Sequence, residues 1–312
     1  MRLTLTITFL ALISLLSSAQ DSLWVHVNIP VACIRDGKSH ASEMTSQAIM
    51  GTPMLVLEDD GGEWLRLQGP DGYEGYMNVS SVQRLSHPAM LEWRRSPRVT
   101  VTSFEESMVY ADTTDISPRN SVSQLVNGSI LSGHISDGKF SEITLPDGRH
   151  GWILSSAVTP IEQWATQPFD AEAVLGRCYR LMGAPYLWGA CSTKSVDCSG
   201  LVRVALYANG ILTLRDARQQ IEIGRRIDPD DTASLRPADL LFFSSVPDGR
   251  ISHVAVYDRD GLYIHSSGRV KTNRMDASDP DFGPRTYRGA SRIDGMTGTP
   301  GIWQIIDHPW YF

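Results

Sequence analysis

Two stretches of this chain are variants of one another, and an internal repeat constrains a fold more tightly than composition does. Residues 62–83 read GEWLRLQGPDGYEGYMNVSSVQ and residues 138–159 read GKFSEITLPDGRHGWILSSAVT. At one constant offset Pro70-Asp71-Gly72 falls on Pro146-Asp147-Gly148, and Gly75-Tyr76-Met77 falls on Gly151-Trp152-Ile153. Trp64 falls on Phe140 and Val82 on Val158. Upstream, after one residue of slippage, Ser46-Gln47 falls on Ser123-Gln124 and Gly51 on Gly128. Each copy is a series of short alternating runs broken by Gly, Pro and Asp. A run of aromatic and aliphatic residues enters the Pro-Asp-Gly turn, and Gly-aromatic-aliphatic leaves it. That pattern predicts a hairpin of a small all-β barrel, occurring twice in tandem.

From Asp170 the texture changes. Ala171, Val174, Leu175, Cys178, Leu181 and Met182 recur at helical spacing, and Gly183-Ala184-Pro185 stops that helix. A second helix is predicted from Ser199 to Asn209-Gly210. Strand-like runs follow at 239–243, 253–257, 262–265 and 302–306. Helices first and antiparallel strands after predict an α+β domain. The 312 residues accommodate two or three domains. The expected division is barrel one at 22–86, barrel two at 95–160 and the α+β domain at 165–312, with a linker at 87–97. The barrels resemble bacterial SH3-like domains, in which Gly-aromatic-aliphatic ends a strand near the domain's C-terminus.

The N-terminus places Arg2 before an apolar run from Leu3 to Leu16 and then Ser17-Ser18-Ala19. That order predicts a secretory signal peptide over 1–19. The run is shorter than the roughly 20 residues that span a bilayer. An exported protein is therefore expected, periplasmic or extracellular, with no membrane span once the leader is removed. A net charge of -7 argues against a nucleic-acid partner, which requires a basic surface. Four cysteines, Cys33, Cys178, Cys191 and Cys198, are too few for a disulfide scaffold of this size.

Chemistry concentrates at Asp197-Cys198-Ser199-Gly200. Asp197 is a good N-cap, so Cys198 falls in a first helical turn. There the helix dipole stabilises a thiolate, and backbone N–H groups face a developing oxyanion. A thiol needs a base, and His253 and His265 are the candidates. Pairing Val254 with Ile264 and Val256 with Leu262 makes one hairpin face wholly aliphatic, and sets His253 directly opposite His265 on the other face. Cys198, His253 and His265 could also supply three zinc ligands. The helix-start cysteine favours a nucleophile, and no metal or cofactor is expected.

Residues 183–202, GAPYLWGACSTKSVDCSGLV, resemble the active-site signature of the NlpC/P60 cysteine peptidases. So do Pro237-Ala238-Asp239-Leu240-Leu241-Phe242-Phe243 and His253-Val254-Ala255-Val256-Tyr257. The resemblance covers about 165–312, with Ala190 and Ala238 standing where Gly is usual. It implies a papain-like α+β catalytic domain that cuts murein stem peptides. Cys198 is then the nucleophile, His253 the base and His265 the third member, with Tyr186 near the oxyanion. Trp188, Asp197 and Ser199 are expected at the substrate.

Tandem SH3-like domains before such a domain resemble the γ-D-glutamyl-L-diamino acid endopeptidases. These release L-Ala-γ-D-Glu from stem peptides with a free N-terminal L-Ala. That subgroup implies an Asp of an Arg-Asp motif, here Asp216 after Arg215, assisting at the substrate. Ala217 follows where Ser is frequent. It further implies an acid and a tyrosine from the first barrel, holding the substrate's ammonium. The repeat nominates them: Glu43 falls on Asn120 and Tyr73 on Arg149, so only the first copy carries the pair. A monomer is expected. The competing readings are a lytic DL-endopeptidase acting on intact peptidoglycan, and a cell-wall binding protein without catalysis.

Overall fold

The structure is a computed structural model that describes residues 23–276, 278 and 285–312. The expected signal peptide lies outside the described residues.

The repeat folds twice into one topology. The first copy has strands β1 (Trp24–Val27), β2 (Val31–Arg35), β3 (Met44–Ile49), β4 (Pro53–Asp59), β5 (Trp64–Gln68), β6 (Glu74–Asn78) and β7 (Val82–Leu85). The second has β8 (Arg98–Val101), β9 (Ser107–Tyr110), β10 (Ser121–Leu125), β11 (Ile130–Gly133), β12 (Phe140–Thr144), β13 (His150–Leu154) and β14 (Val158–Pro160). Strand order is β3-β2-β6-β5-β4-β1-β7 in one and β10-β9-β13-β12-β11-β8-β14 in the other, the same permutation. The Pro-Asp-Gly hairpins share a register too: Trp64 pairs with Asn78 as Phe140 pairs with Leu154. Each barrel encloses its own apolar core, around Leu65, Leu67 and Met77 in the first and Ile143, Leu145 and Ile153 in the second.

The stretch read as a linker carries helix α1 (His87–Arg95), capped by Ser86, whose side chain accepts from Ala89 N–H, with proline in its first turn. Helix α2 (Ile161–Ala165) leads into the last region. Helix α3 (Ala171–Arg180) starts at Asp170, whose carboxylate accepts from Glu172 and Ala173 N–H. Then come a two-stranded hairpin, β15 (Cys191–Ser192) and β16 (Ser195–Val196), and helix α4 (Cys198–Tyr207). Strand β17 (Ile211–Thr213) is followed by the short helix α5 (Ala217–Gln220).

The remaining strands are β18 (Arg225–Ile227), β19 (Leu240–Ser244), β20 (Ile251–Tyr257), β21 (Leu262–Ser267), β22 (Arg269–Arg274), β23 (Thr286–Arg292) and β24 (Ile302–Gln304). Six of them form a sheet in the order β18-β23-β19-β20-β21-β22. Strand β24 leaves it to pair with β17. This is the α+β arrangement expected. The sequence reading does not name the three-residue strand β17, nor β18, β22 and β23, which carry polar residues through most of their length.

One sheet face packs on the helices. Leu240, Phe242, Val254, Val256, Ile264 and Val270 meet Val174, Leu175, Leu201, Val202 and Ala205 in one core. Burying a side chain of this size contributes about 1.5–3 kcal/mol, so this core fixes where α4 lies. The other face gathers Leu241, Phe243, Ala255, Tyr257 and Tyr263.

Candidate active site

Asp197 holds the start of α4. Its carboxylate accepts from Gly200 N–H at 2.7 Å, Ser199 Oγ at 3.2 Å and Gly189 N–H at 3.0 Å. Arg215, 1% exposed, donates to both of its oxygens at 3.1 and 2.5 Å, and also to Ser199 Oγ at 2.8 Å and Ser46 Oγ at 3.0 Å. A buried charge pair is tolerated when its lone pairs and protons are all satisfied in this way. Two glycines make the approach possible. A Cβ on Gly200 would lie 2.0 Å from Ala190 O. Gly189, at φ +78°, has Met44 O of the first barrel 2.4 Å from where a Cβ would be. Asp197 and Ser199 are thus buried, with their polar atoms engaged within the protein. Arg215 had been noted only as the neighbour of Asp216, although its motif position was the available signal.

The hairpin register differs from the sequence expectation by two residues. Val256 pairs with Ile264 and Tyr257 with Tyr263, which leaves Arg259-Asp260-Gly261 as the loop. The expected register implies a three-residue loop or a bulge around Arg259-Asp260; the loop has three residues, and its position is set by Asp260 and Gly261, both at positive φ. Because side chains alternate with period two, an even shift keeps every residue on its face. His253 and His265 are therefore diagonal rather than directly opposed, and still on one face. His253 Nε2 and His265 Nδ1 are 2.8 Å apart.

The register pairs of β20 and β21 run to Val256 and Ile264, and the start of α4 packs in one core with residues of both strands. The backbone N–H groups of Val254 and Ser199 favour the Cys198 thiolate. Ser266 Oγ donates to Val196 O at 3.0 Å. The thiol thereby reaches the strand that carries His253, although it has no hydrogen bond to that ring among the described residues. Such contacts are often long before substrate binds.

Burial, then the Asp197 charge, pushes the Cys198 thiol up, while the two N–H groups and Arg215 pull the other way. Burial, Arg285 and His265 hold His253 well below the usual histidine value. The resting pair is therefore a neutral thiol beside a neutral imidazole. Tyr186 is pushed up to about 12, first by burial and then by Cys198 and Asp197, and so keeps its proton. A protonated phenol, a helix-start thiol and a neutral imidazole can together support acyl transfer. Among the described residues no group of three or more His, Cys, Asp or Glu is disposed to hold a metal ion. All four cysteines are free thiols.

The first barrel reaches this site. Glu43 Oε1 accepts from Trp188 Nε1 at 2.6 Å, and Trp188 is otherwise 59% exposed. Tyr73 is half-buried, raised by burial, and feels the charge of Asp216. Asp216 caps α5 in a capping box with Gln219. Sequence reading missed Asn273, whose Oδ1 is 2.7 Å from His265 Nε2. An asparagine inside a strand, where that residue is depleted, was the only signal.

Comparison with known proteins matches two segments of the chain to families. Residues 183–285 match the model of the NlpC/P60 family, and residues 34–82 match the bacterial dipeptidyl-peptidase SH3 domain. The chain is 34% identical over 241 residues to a γ-D-glutamyl-L-lysine dipeptidyl-peptidase of Bacillus subtilis, covering 71% of each chain. It is 28% identical over 253 residues to dipeptidyl-peptidase 6 of Lysinibacillus sphaericus, covering 77% of this chain and 87% of the relative. The fold matches the crystal structure of an NlpC/P60 family protein from Bacillus cereus with a TM-score of 0.74, at 20% identity, over 86% of this chain and 99% of that one. With a helix-start cysteine and a histidine strand inside the matched segment, and a relative of this identity and coverage, the chain belongs to the NlpC/P60 family of cysteine peptidases.

Proposed function

We propose that this peptidase hydrolyses the bond between γ-D-Glu and the diamino acid of murein stem peptides with a free N-terminal L-Ala, releasing L-Ala-γ-D-Glu. The observation that carries the reading is the meeting of Glu43 and Tyr73 of the first barrel with Trp188 and the surroundings of Asp216. Carboxylates and a phenol gathered at one end of the site would pair with the ammonium of a short free peptide. Charge-assisted hydrogen bonds of that kind are worth roughly 1.5–3 kcal/mol each. Two of the relatives are named dipeptidyl-peptidases, one of them a γ-D-glutamyl-L-lysine dipeptidyl-peptidase, which supports the same substrate class.

In this reading His253 takes the Cys198 proton as sulfur attacks the carbonyl carbon. The oxyanion lies against the backbone N–H groups at the start of α4 and the Tyr186 hydroxyl. His253 protonates the departing amine, leaving a thioester on Cys198. Water, deprotonated by His253, then cleaves the thioester and frees the dipeptide acid. His265 orients His253 throughout. The protein acts outside the cytoplasm, on peptides drawn from the cell wall.

The test is release of L-Ala-γ-D-Glu from free tripeptide, from N-acetylated tripeptide and from intact sacculi. Free tripeptide is cut at least tenfold faster than the acetylated form, Glu43→Gln removes most of that preference, and Cys198→Ala abolishes all cleavage. Equal rates on free and acetylated peptide would refute the amine clamp, and preference for sacculi would favour a lytic enzyme.

A further inference from the structure

Three buried polar side chains run in a line across three adjacent strands. His253 on β20 meets His265 on β21 through Nε2 and Nδ1 at 2.8 Å. His265 meets Asn273 on β22 through Nε2 and Oδ1 at 2.7 Å. They are 4%, 3% and 2% exposed. Asn273 lies opposite Tyr263, diagonal to His265 and on the same sheet face. Among the described residues its Nδ2 is buried with no hydrogen-bond partner. Only its carbonyl is used, and it is used on the histidine.

We infer that Asn273 is a positioning residue that sets the tautomer of His253 from two residues away. The inference rests on the reading of His253 as base. A side-chain carbonyl only accepts, so His265 Nε2 must carry a hydrogen. A neutral His265 then has a bare Nδ1, which accepts from His253 Nε2–H. A neutral His253 in turn has a bare Nδ1, the nitrogen not engaged by His265, and that atom is the one able to take the thiol proton. Every step follows from one proton per neutral imidazole. With the amide turned the other way, Nδ2 would donate to His265, the order would reverse along the line, and His253 Nδ1 would already hold a proton. The line therefore has two states, and the carbonyl of Asn273 selects the one in which His253 is a competent base. When His253 accepts the proton, its Nε2–H remains donated to His265, so the relay holds the ring through the charged state without transferring a second proton.

The experiment uses the whole chain with 15N-labelled histidine, near neutral pH and without substrate. Imidazole correlation spectra report which ring nitrogen carries hydrogen, with His253→Gln and His265→Gln spectra assigning the signals. The expected result is Nε2–H for both histidines in the native protein. Asn273→Leu, which has no acceptor, should move His253 toward a mixture of tautomers and lower kcat at least tenfold with KM within twofold. Asn273→Asp, which restores an oxygen acceptor, should recover the Nε2–H pattern and bring kcat to within threefold of native. An Nδ1–H tautomer of His253 in the native protein would overturn the inference, as would unchanged tautomers and kcat in Asn273→Leu. Failure of Asn273→Asp to restore either would do the same. If Asn273→Leu does not fold, the native and Asp spectra still decide. If native protein shows the expected tautomers but cuts no tripeptide, the proposed substrate is wrong and the relay stands.

Discussion

His253 is unusual less for its partner than for its surroundings. Burial, the Arg285 guanidinium and the neighbouring His265 all oppose its protonation. A base held below its ordinary value stays neutral, and available, as the solution is acidified. The acid limb of kcat/KM should therefore lie below pH 6.5, and Arg285→Ala should move it upward by relieving one of the three effects. A native limb above 6.5 would show that the ring feels a different environment from the one described. Cys198 illustrates a related balance: a buried thiol beside a carboxylate ionises reluctantly, and two backbone N–H groups plus Arg215 offset part of that cost.

At the scale of elements, the turn into β19 is strained. Ala238 has φ +67°, a region that costs an L-residue about 1–2 kcal/mol. It is held there because Ala238 N–H donates to Tyr257 O at 2.8 Å, Arg236 N–H donates to the Asp239 carboxylate at 2.7 Å, and that carboxylate is buried against Arg292. Glycine would relieve the strain while adding about 0.4–1 kcal/mol of unfolded-state entropy cost. Ala238→Gly should stabilise the protein by roughly 0.5–1 kcal/mol, read as a higher urea midpoint at an unchanged m-value. A lower midpoint would mean that the Ala238 methyl group does more in packing than its backbone costs.

The whole molecule is fastened at its domain junctions by buried contacts. Asp71, in the turn of the first barrel, forms an ion pair with Arg203 of α4, their side chains 4% and 15% exposed. His308 Nε2 and Pro70 O are 2.8 Å apart, and Trp24 meets Trp310 edge-on. Arg98 at the start of the second barrel donates to Tyr311 O at 2.7 Å. Asp71 and Asp147 occupy the same place in the repeat, yet among the described residues Asp147 forms its ion pair with nearby Arg149 alone, itself 48% exposed. Asp71→Ala should cost roughly 3 kcal/mol because it leaves Arg203 largely buried and uncompensated. Asp147→Ala should cost about 1 kcal/mol or less, as exposed pairs do. Thermal unfolding of the two variants side by side tests this, and equal losses would show that the junction contributes nothing special.

Local chemistry determined much of this protein. The repeat dictated two barrels because Pro-Asp-Gly turns and alternating apolar runs are read within a few residues. Asp197 dictated a capped helix that begins at Cys198, and alternation placed His253 and His265 on one face. What the sequence could not carry was whatever depends on atoms far apart in the chain. The hairpin register turned on backbone angles at Asp260 and Gly261 that a hydrophobic pattern does not encode. The role of Asn273 exists only because β22 lies beside β21, and that of Arg215 only because Asp197 and Ser46 converge on it from two domains. Glu43 could be nominated by comparing repeats, but its contact with Trp188 was decided by the seating of the first barrel on the catalytic domain. Hydrogen bonds are short and directional, so their partners are fixed only once packing has brought distant strands to within about 3 Å.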